Sequence, residues 1–341
     1  MLETVKEVLA GEEAWVVGGA IRDELLGKPV LDLDIACREP KAAALAYGRR
    51  AGGAVFRLSG PHGAWRVAYR DGRTVDFTPL ANGIEDDLAG RDFTINAIAR
   101  PLAGDEEVDP FAGRADLEQR LIRAVKEDVF RNDPLRLLRA VRIADQLGFR
   151  IDPETEALVR RDAELAARPA GERILGEVAQ LSPPAYRRLG ELGVLEPLGG
   201  SLDRLDRVQD GDARLLLVAV FGASLEQLPI SNELRRYART LLNAELPLDL
   251  SPRAIHRFRR ATEPWAIDAA QLHGGNVELL RALDDARAAD PAGPLLRGDE
   301  LGLPPGPEIG RLLALIEEER AAGTISTRDE ALELVRKEAE R

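Results

Sequence analysis

The feature that most limits what this chain can fold into is a change of periodicity near residue 126. Before it, short runs rich in β-branched and aromatic residues alternate with helical stretches. From about Glu127 onward the strand signal disappears and apolar residues recur at helical spacing. AWVVGG predicts a strand ending in a turn, AIRDELLG a helix and VLDLDIAC a second strand. AVFRLS, AWRVAYR and TVDFTPL predict three successive strands of an antiparallel meander, broken at Gly60-Pro61-His62-Gly63 and at Asp71-Gly72. The helical remainder is punctuated at Pro153, Pro169, Pro183-Pro184, Gly199-Gly200, Pro247, Pro252, Pro291 and Pro304-Pro305. The fold class is therefore α+β, a mixed β-sheet with helices followed by a long all-helical part. Bundle breaks are expected at Pro183-Pro184 and from Leu246 to Pro252, with a loop from Asp290 to Gly306 before a last helical pair.

Composition narrows the function classes. With 59 acidic and 47 basic residues in 341 the net charge is −12, and 45% of the residues are hydrophobic. That excludes a disordered chain and a uniformly basic nucleic-acid coat protein, and the length predicts two or three domains. One cysteine, Cys37, and three histidines, His62, His256 and His273, exclude a disulfide framework and a multi-cysteine zinc site, so any metal is expected on oxygen ligands. No run reaches the ~18 apolar residues of a membrane span, and MLETVKEVLAGEEAW lacks the features of a secretory signal; the expectation is a cytoplasmic protein with no membrane partner. Arginine outnumbers lysine 42 to 5. Codon bias or heat adaptation would explain this, but arginine is also the residue for forked recognition of phosphates and bases.

In the strand LDLDIA, alternation sends Leu31, Leu33 and Ile35 to the core and sets Asp32 and Asp34 together on the other side. Two readings stand: a solvated acidic face, or a Mg²⁺ site whose ions also grip a substrate's phosphates. Thirteen residues earlier, Gly18-Gly19 closes a strand and opens a helix carrying Arg22, a place where backbone N–H groups and a guanidinium could meet an anion. VVGGAIRDELLG does not fit the dinucleotide fingerprint G-x-G-x-x-G.

GGAIRDELLG followed by LDLDIA resembles the nucleotidyltransferase motif of the class II tRNA nucleotidyltransferases, the CCA-adding and related enzymes, and of the bacterial poly(A) polymerases. EDDLAGRDFTINAIA, VDPFAGRADLEQRLIRAV, NDPLRLLRAVRIADQLGFRID and GERILGEVAQL extend the resemblance over about Trp15 to Leu181, and GDELGLPPGPEIGRLLALIEEERAAGTI continues it more weakly. The resemblance implies a polymerase-β-like nucleotidyltransferase head at residues 1–126, a helical neck with a base-selecting helix at 127–182, a body at 183–250 and a tRNA-binding tail at 251–341. It implies two Mg²⁺ ions with Asp32 and Asp34 as ligands. The tRNA 3′-hydroxyl would attack the α-phosphate of CTP or ATP in line, and pyrophosphate would leave. Related polymerases draw a third carboxylate from a neighbouring strand; Asp76 in VDFTPL is the candidate, and it reads nearly as well as an ordinary polar strand residue.

Gly18, Gly19 and Arg22 would bind the nucleotide, and Arg91, Asp92 and Asn96 fall in the family's second motif, which implies contacts to its sugar and phosphates. Asp92 and Asn96 are one helical turn apart, and Asp92 could equally cap a helix. The family usually has two arginines where this chain has Gly90-Arg91. In the third segment Asp133 precedes Pro134 and is a natural N-cap, while Arg136, Arg139 and Arg142 recur along one face of the following helix. That face reads as a solvated charged surface or as a site. Cytosine and adenine present an amino donor next to a ring-nitrogen acceptor, so a carboxylate (Asp133) beside a guanidinium (Arg136) fits C and A and rejects G and U. Asn132 stands where the family commonly has a carboxylate.

Two absences bear on subtype. No His-Asp dipeptide occurs, and only Ala81 to Ile84 separate VDFTPL from EDDLAGRDF, where many relatives that add all of CCA have a longer loop. The expectation is CC addition, extending to full CCA if no separate A-adding enzyme acts as partner. Alternatives are a poly(A) polymerase, which the acidic residues 298–341 (net −5) disfavour, and a non-catalytic RNA-binding paralogue, which has no use for a repelling carboxylate pair. For tRNA binding the candidates lie between residues 235 and 260, where Arg235, Arg236, Arg239, Arg253, Arg257, Arg259 and Arg260 oppose only Glu245 and Asp249, net +5; a solvated helix surface is the other reading. Phe258, Trp265 and Cys37 are expected to be packing residues.

Overall fold

A computed structural model describes residues 1–58, 63–208 and 210–339, so the Gly60-Pro61-His62 part of the expected break lies outside the described residues. The chain forms two compact units, Met1–Leu198 and Gly199–Arg341.

In the first unit the five expected strands form, β1 (Ala14–Val17), β2 (Asp32–Cys37), β3 (Ala54–Arg57), β4 (Trp65–Ala68) and β5 (Thr74–Pro79), and a sixth, unexpected one joins them, β6 (Ala99–Pro101). They make one six-stranded sheet in the order β3-β4-β5-β2-β1-β6. Every neighbouring pair is antiparallel except β2 and β5, which are parallel. The meander is as expected, and its Asp71-Gly72 turn closes with Gly72 at φ +88° and the Gly72 N–H donating to the Tyr69 carbonyl. Helices α1 (Leu2–Val8), α2 (Gly19–Leu25), α3 (Pro40–Ala51), α4 (Ile84–Ala89) and α5 (Gly113–Gln119) accompany the sheet. Leu33, Ile35, Val67, Val75 and Phe77 are buried on the face that α3 covers, with the Tyr47 ring 5.7 Å from that of Phe77. Leu31 departs from the expected alternation: it precedes β2 and is 58% exposed, because the ladder begins only at Asp32. On the opposite face Val17, Ala36 and Ala99 pack against Leu88 of α4 and Ala97.

The rest of this unit is α6 (Val129–Asn132), α7 (Arg136–Leu147), α8 (Pro153–Asp162), α9 (Gly171–Val178) and α10 (Pro183–Glu191). Its single strand beyond Glu127 among the described residues is β8 (Arg150–Ile151), paired in parallel with β7 (Leu121–Ile122). Helix α7 buries Leu137, Leu138, Ala140, Val141, Ile143 and Ala144 and packs on α9 and α10. Pro183-Pro184 opens α10 instead of closing a bundle: Ser182 caps it by accepting from the Ala185 N–H, and Pro183 lacks an N–H that would go unused. The boundary between compact units falls later, after Leu198.

The second unit comprises α11 (Ala213–Phe221), α12 (Asn232–Leu242), α13 (Pro252–Thr262), α14 (Ala266–Leu272), α15 (Val277–Ala288), α16 (Pro307–Ala321) and α17 (Arg328–Ala339). Its centre is α11, buried from Leu215 to Phe221. Asp212, Ser231, Ser251 and Asn276 cap α11, α12, α13 and α15 through their side chains. The expected breaks at 246–252 and 290–306 fall between helices. Among the described residues no single helix is long and apolar enough to cross a membrane.

Candidate active site

Strand pairing brings three carboxylates to one face of the head sheet. Asp34 is the in-register partner of Asp76 across the parallel β2–β5 pair, and Asp32 is the partner of Thr74, whose hydroxyl donates to Asp32 Oδ1 at 2.7 Å. Asp76 is held by Arg66 of β4 in a two-pronged bridge, 2.7 Å on each arm. Burial pushes the Asp34 carboxyl up to about 6; Asp76 and Asp32 add to the rise, while the Arg91 and Arg66 guanidinium groups oppose it. This donor set suits a hard divalent cation: two carboxylates share one face, and the more buried is held above its ordinary range chiefly by loss of solvent, with Asp76 and Asp32 adding to the rise. No cluster of three or more candidate ligands closes on one point among the described residues. Asp32 and Asp34 are the carboxylates on this face that could hold such an ion, with Asp76 adjacent but occupied by Arg66.

The Gly18-Gly19 turn abuts this centre. Gly18 has φ +76°, and a Cβ there would lie 2.5 Å from a terminal nitrogen of Arg91 and 3.2 Å from Asp34 Oδ2. Its N–H donates to the Ile98 carbonyl, so it is not available to an anion, and Gly19 begins α2. Arg22 does not project freely: its Nε donates to Asp23 and its terminal nitrogen to Asn96 Oδ1, both at 2.8 Å.

Asn96 continues a chain of polar contacts into the neck. Its amide donates to Asp92 Oδ1 at 2.9 Å, and Arg139 of α7 donates from Nε to Asp92 Oδ2 at 2.9 Å. Arg139 also faces Glu177 of α9 at 3.7 Å, and Glu177 takes Arg142. Burial works to raise Asp92, but Arg139 and Asn96 prevail and hold its carboxyl below the usual range. Asp92 and Asn96 are 6% and 5% exposed; Asn96 ends a 3₁₀ turn (Thr94–Asn96) and Asp92 lies in the bend before it, not in an α-helix. The one-turn spacing does bring them together, yet they are covered here and act on Arg22 and Arg139. Arg91 grips Asp87 at 2.9 and 3.0 Å.

Asp133 and Arg136 lie at the start of α7. The helix begins at Arg136 with Leu135 at its N-cap, so the expected cap at Asp133 does not form; Asp133 follows the short helix α6, and its Oδ1 accepts the Leu135 N–H at 3.2 Å in a local turn. Its Oδ2 accepts from Arg173 of α9 at 2.8 Å. Arg136 donates to the carbonyls of Gly90 (2.6 Å) and Arg91 (3.2 Å), tying the neck helix to the loop after α4. Arg142 is turned to Glu177 and Gln146.

In the second unit the arginine-rich stretch is less positive than its sequence. Arg239 pairs with Glu226, Arg257 with Glu318, Arg253 with Glu318 and Glu319, and Arg259 with Glu263 and Asp290. Arg235 bonds Asn232, and Arg236 lies 5.1 Å over the Trp265 ring. Arg260 is exposed, and no ion pair joins it to a described residue. Phe258 and Cys37 are buried as expected; Trp265 is half-buried, edge-on to Tyr237.

Comparison with known proteins fixes the family. The poly A polymerase head domain model matches residues 63–123. The A-adding tRNA nucleotidyltransferase of Deinococcus radiodurans is 34% identical over 96% of this chain and 96% of its own length. This chain belongs to the tRNA nucleotidyltransferases. The CC-adding tRNA nucleotidyltransferase of Geobacter sulfurreducens is 32% identical, over 94% of this chain and 91% of its own. The fold of this nucleotidyltransferase also matches that of the Thermotoga maritima CCA-adding enzyme complexed with tRNA, at TM-score 0.76 and 23% identity over 99% of this chain and 94% of that one.

Four residues of this tRNA nucleotidyltransferase escaped sequence reasoning: Arg66, Thr74, Arg173 and Glu177. Arg66 carried a signal, since a hairpin turning at Asp71-Gly72 sets residue 66 opposite residue 76. Glu177 and Arg173 carried none, because their partners lie 35 and 40 residues away in sequence.

Proposed function

We propose that this enzyme adds cytidine to the 3′ end of tRNA without a nucleic-acid template, using CTP and leaving an end in CC. The observation that carries the reading is the acidic centre itself: Asp34 opposite Asp76, with Asp32 on the same face and the side-chain-free Gly18 pressed against it. Asp32 and Asp34 would hold two Mg²⁺, which when bound neutralise the triphosphate and favour loss of pyrophosphate. Gly18 leaves space beside Asp34 for the nucleotide. Arg91, and Arg22 once drawn from Asn96, supply positive charge on the same side, and Asp76 completes the carboxylate set if Arg66 releases it.

Base choice falls to Asp133 and Arg136. The amino group of cytosine would take the place of the half-exposed Arg173 guanidinium at Asp133 Oδ2, while Arg136 donates to the ring nitrogen. Asp92, Asn96, Arg139 and Arg142 hold these groups in place from behind. Residues 1–126 serve as head, 127–182 as neck, 183–250 as body and 251–341 as tail, with tRNA engaged along the helical part. The site of action is the cytoplasm, where a tRNA end meets CTP.

CC addition is favoured by the short link between β5 and α4, residues 80–83, and by the CC-adding relative. The A-adding relative supports a second reading, in which ATP is joined to an end already carrying CC. Purified protein with Mg²⁺ and labelled CTP or ATP, given tRNA ending at the discriminator base, at C or at CC, separates them. CTP incorporation into the first two substrates and none into the third is the expected result. ATP incorporation only on the CC end would establish A addition, and successive CTP and ATP incorporation would establish CCA addition. Long adenylate runs on an unstructured RNA would mark a poly(A) polymerase.

A further inference from the structure

A single line of side chains crosses the head sheet from the acidic centre to its edge. Asp34 pairs in register with Asp76, Asp76 with Arg66, and Arg66 with Phe56. Directly opposed residues share a face, so all four stand on the face turned away from α3. With neighbouring strands ~4.8 Å apart, Phe56 lies roughly 14 Å from Asp34. Alongside runs a second row, Ala54, Ala68, Thr74 and Asp32, in which the positions flanking Phe56 and Arg66 carry only methyl groups.

The two ends of this face differ. Toward β1 and β6 it is roofed by Leu88 and Ala97. Toward β4 and β3 no described residue roofs it: Phe56 is 43% exposed, and the Arg66 side chain 36%. The edge strand is exposed at Ala54, Phe56 and Arg57, while Val55 turns to the other face and meets α3, where a Cβ on Gly48 would collide with it. A part-exposed phenyl ring thus stands beside Ala54 and Ala68, in line with a guanidinium and the carboxylates.

We propose that Phe56 and Arg66 form the platform for the last nucleotides of the acceptor strand. Phe56 stacks a base, and Arg66 exchanges Asp76 for the phosphate of a terminal linkage. The proposal rests on the tRNA reading above. In-line displacement puts the attacking hydroxyl and the leaving pyrophosphate on opposite sides of the reacting phosphorus. Gly18 and Arg91 adjoin Asp34 from the β1 side, where the nucleotide is placed, so the strand that attacks comes from the β5–β4–β3 side. At ~3.4 Å per stacked nucleotide the line has room for a few nucleotides. Aromatic stacking with a nearby cation is how single strands are held without sequence readout, and a forked guanidinium accepts phosphate as readily as carboxylate.

The test uses the full chain with Phe56→Ala, Phe56→Trp and Arg66→Lys, measuring KM for tRNA and for CTP separately, with thermal melting as a check on folding. Phe56→Ala should raise KM for tRNA roughly ten-fold, as loss of one stacked base does, and leave KM for CTP unchanged. Phe56→Trp should restore it, and its added indole fluorescence should be quenched by an RNA oligonucleotide of the acceptor end beyond any quenching of wild type, and not by CTP. Arg66→Lys, which keeps the charge but loses the fork, should also raise KM for tRNA. An active Phe56→Ala enzyme with wild-type KM for tRNA, or an indole at position 56 that RNA leaves unquenched, overturns the platform while the function stands. Wild-type protein that transfers nothing to tRNA overturns the function and the platform with it.

Discussion

Asp34 and Asp76 face each other across parallel strands, and only one of them has a charge partner of its own. Asp76 is neutralised by both arms of Arg66. Asp34 has Arg91 nearby but sits half-buried beside Asp76 and Asp32, and its carboxyl is pushed up to about 6, chiefly by desolvation. The fold therefore stores unfavourable charge at Asp34, which a bound cation would relieve.

This has a measurable sign. A carboxylate ionises near ~3.9 in the unfolded chain, and at about 6 here. The folded state is unpenalised below the lower value and loses stability as pH rises through the higher one, by roughly 2–3 kcal/mol at full ionisation. Without divalent cations, Asp34→Asn should melt several degrees above wild type at pH 8 and equally near pH 3.5, while losing nucleotide incorporation. Asp32→Ala should also lose incorporation. A melting difference that does not change with pH would refute the stored charge.

Gly18 tests the space beside Asp34. Its φ of +76° is one that a side chain strains, and a Cβ would press on Arg91 and Asp34. A Cβ on Gly19 meets only the movable guanidinium of Arg22, at 3.3 Å. Gly18→Ala should cost ~1–3 kcal/mol of stability and raise KM for CTP; Gly19→Ala should do much less of both. Equal effects in a paired comparison of melting and kinetics would contradict this account.

Arg136 spends its donors on the Gly90 and Arg91 carbonyls, beside Asp133. Replacement by alanine should relax the choice of C over U about ten-fold or more, the scale of one lost two-pronged base contact. KM for tRNA should change by less than about a factor of two, since no phosphate contact is removed. Unchanged nucleotide selectivity in competition between CTP and UTP would remove Arg136 from base reading.

Local pattern carried much of this in the sequence. The meander, the helical remainder and the two carboxylates on one face follow from alternation and turn residues, because strand neighbours are set by short connections. Asp76 beside Asp34 came from the family resemblance, since β2 and β5 pair in parallel with α3, β3 and β4 between them in the chain. What could not be read was which charge answers which. Asp92 and Asn96 are buried and bond Arg139 and Arg22, and Glu177 closes on Arg139 and Arg142 from a separate helix, pairings that no local spacing announces. Leu31 fell outside the ladder because alternation predicts facing only where pairing exists.

The arginines of the second unit show the same limit and yield the last prediction. Counted along the chain they are a +5 patch, yet carboxylates from Glu226, Glu263, Asp290, Glu318 and Glu319 meet them in the fold. Arg259 is the most enclosed, bridging α13 to Glu263 and Asp290 with its side chain 13% exposed. Arg259→Ala should therefore lower the melting temperature by leaving Asp290 without its two-pronged partner and Glu263 with Arg287 alone. Arg260→Ala, exposed and without such a pair to a described residue, should leave melting unchanged. If Arg260 meets a tRNA phosphate, its loss should weaken tRNA uniformly across sequences and flatten the dependence of log affinity on log salt by about one unit of slope. Binding titrations from low to moderate salt read this directly, and a slope identical to wild type would assign Arg260 to the solvated surface.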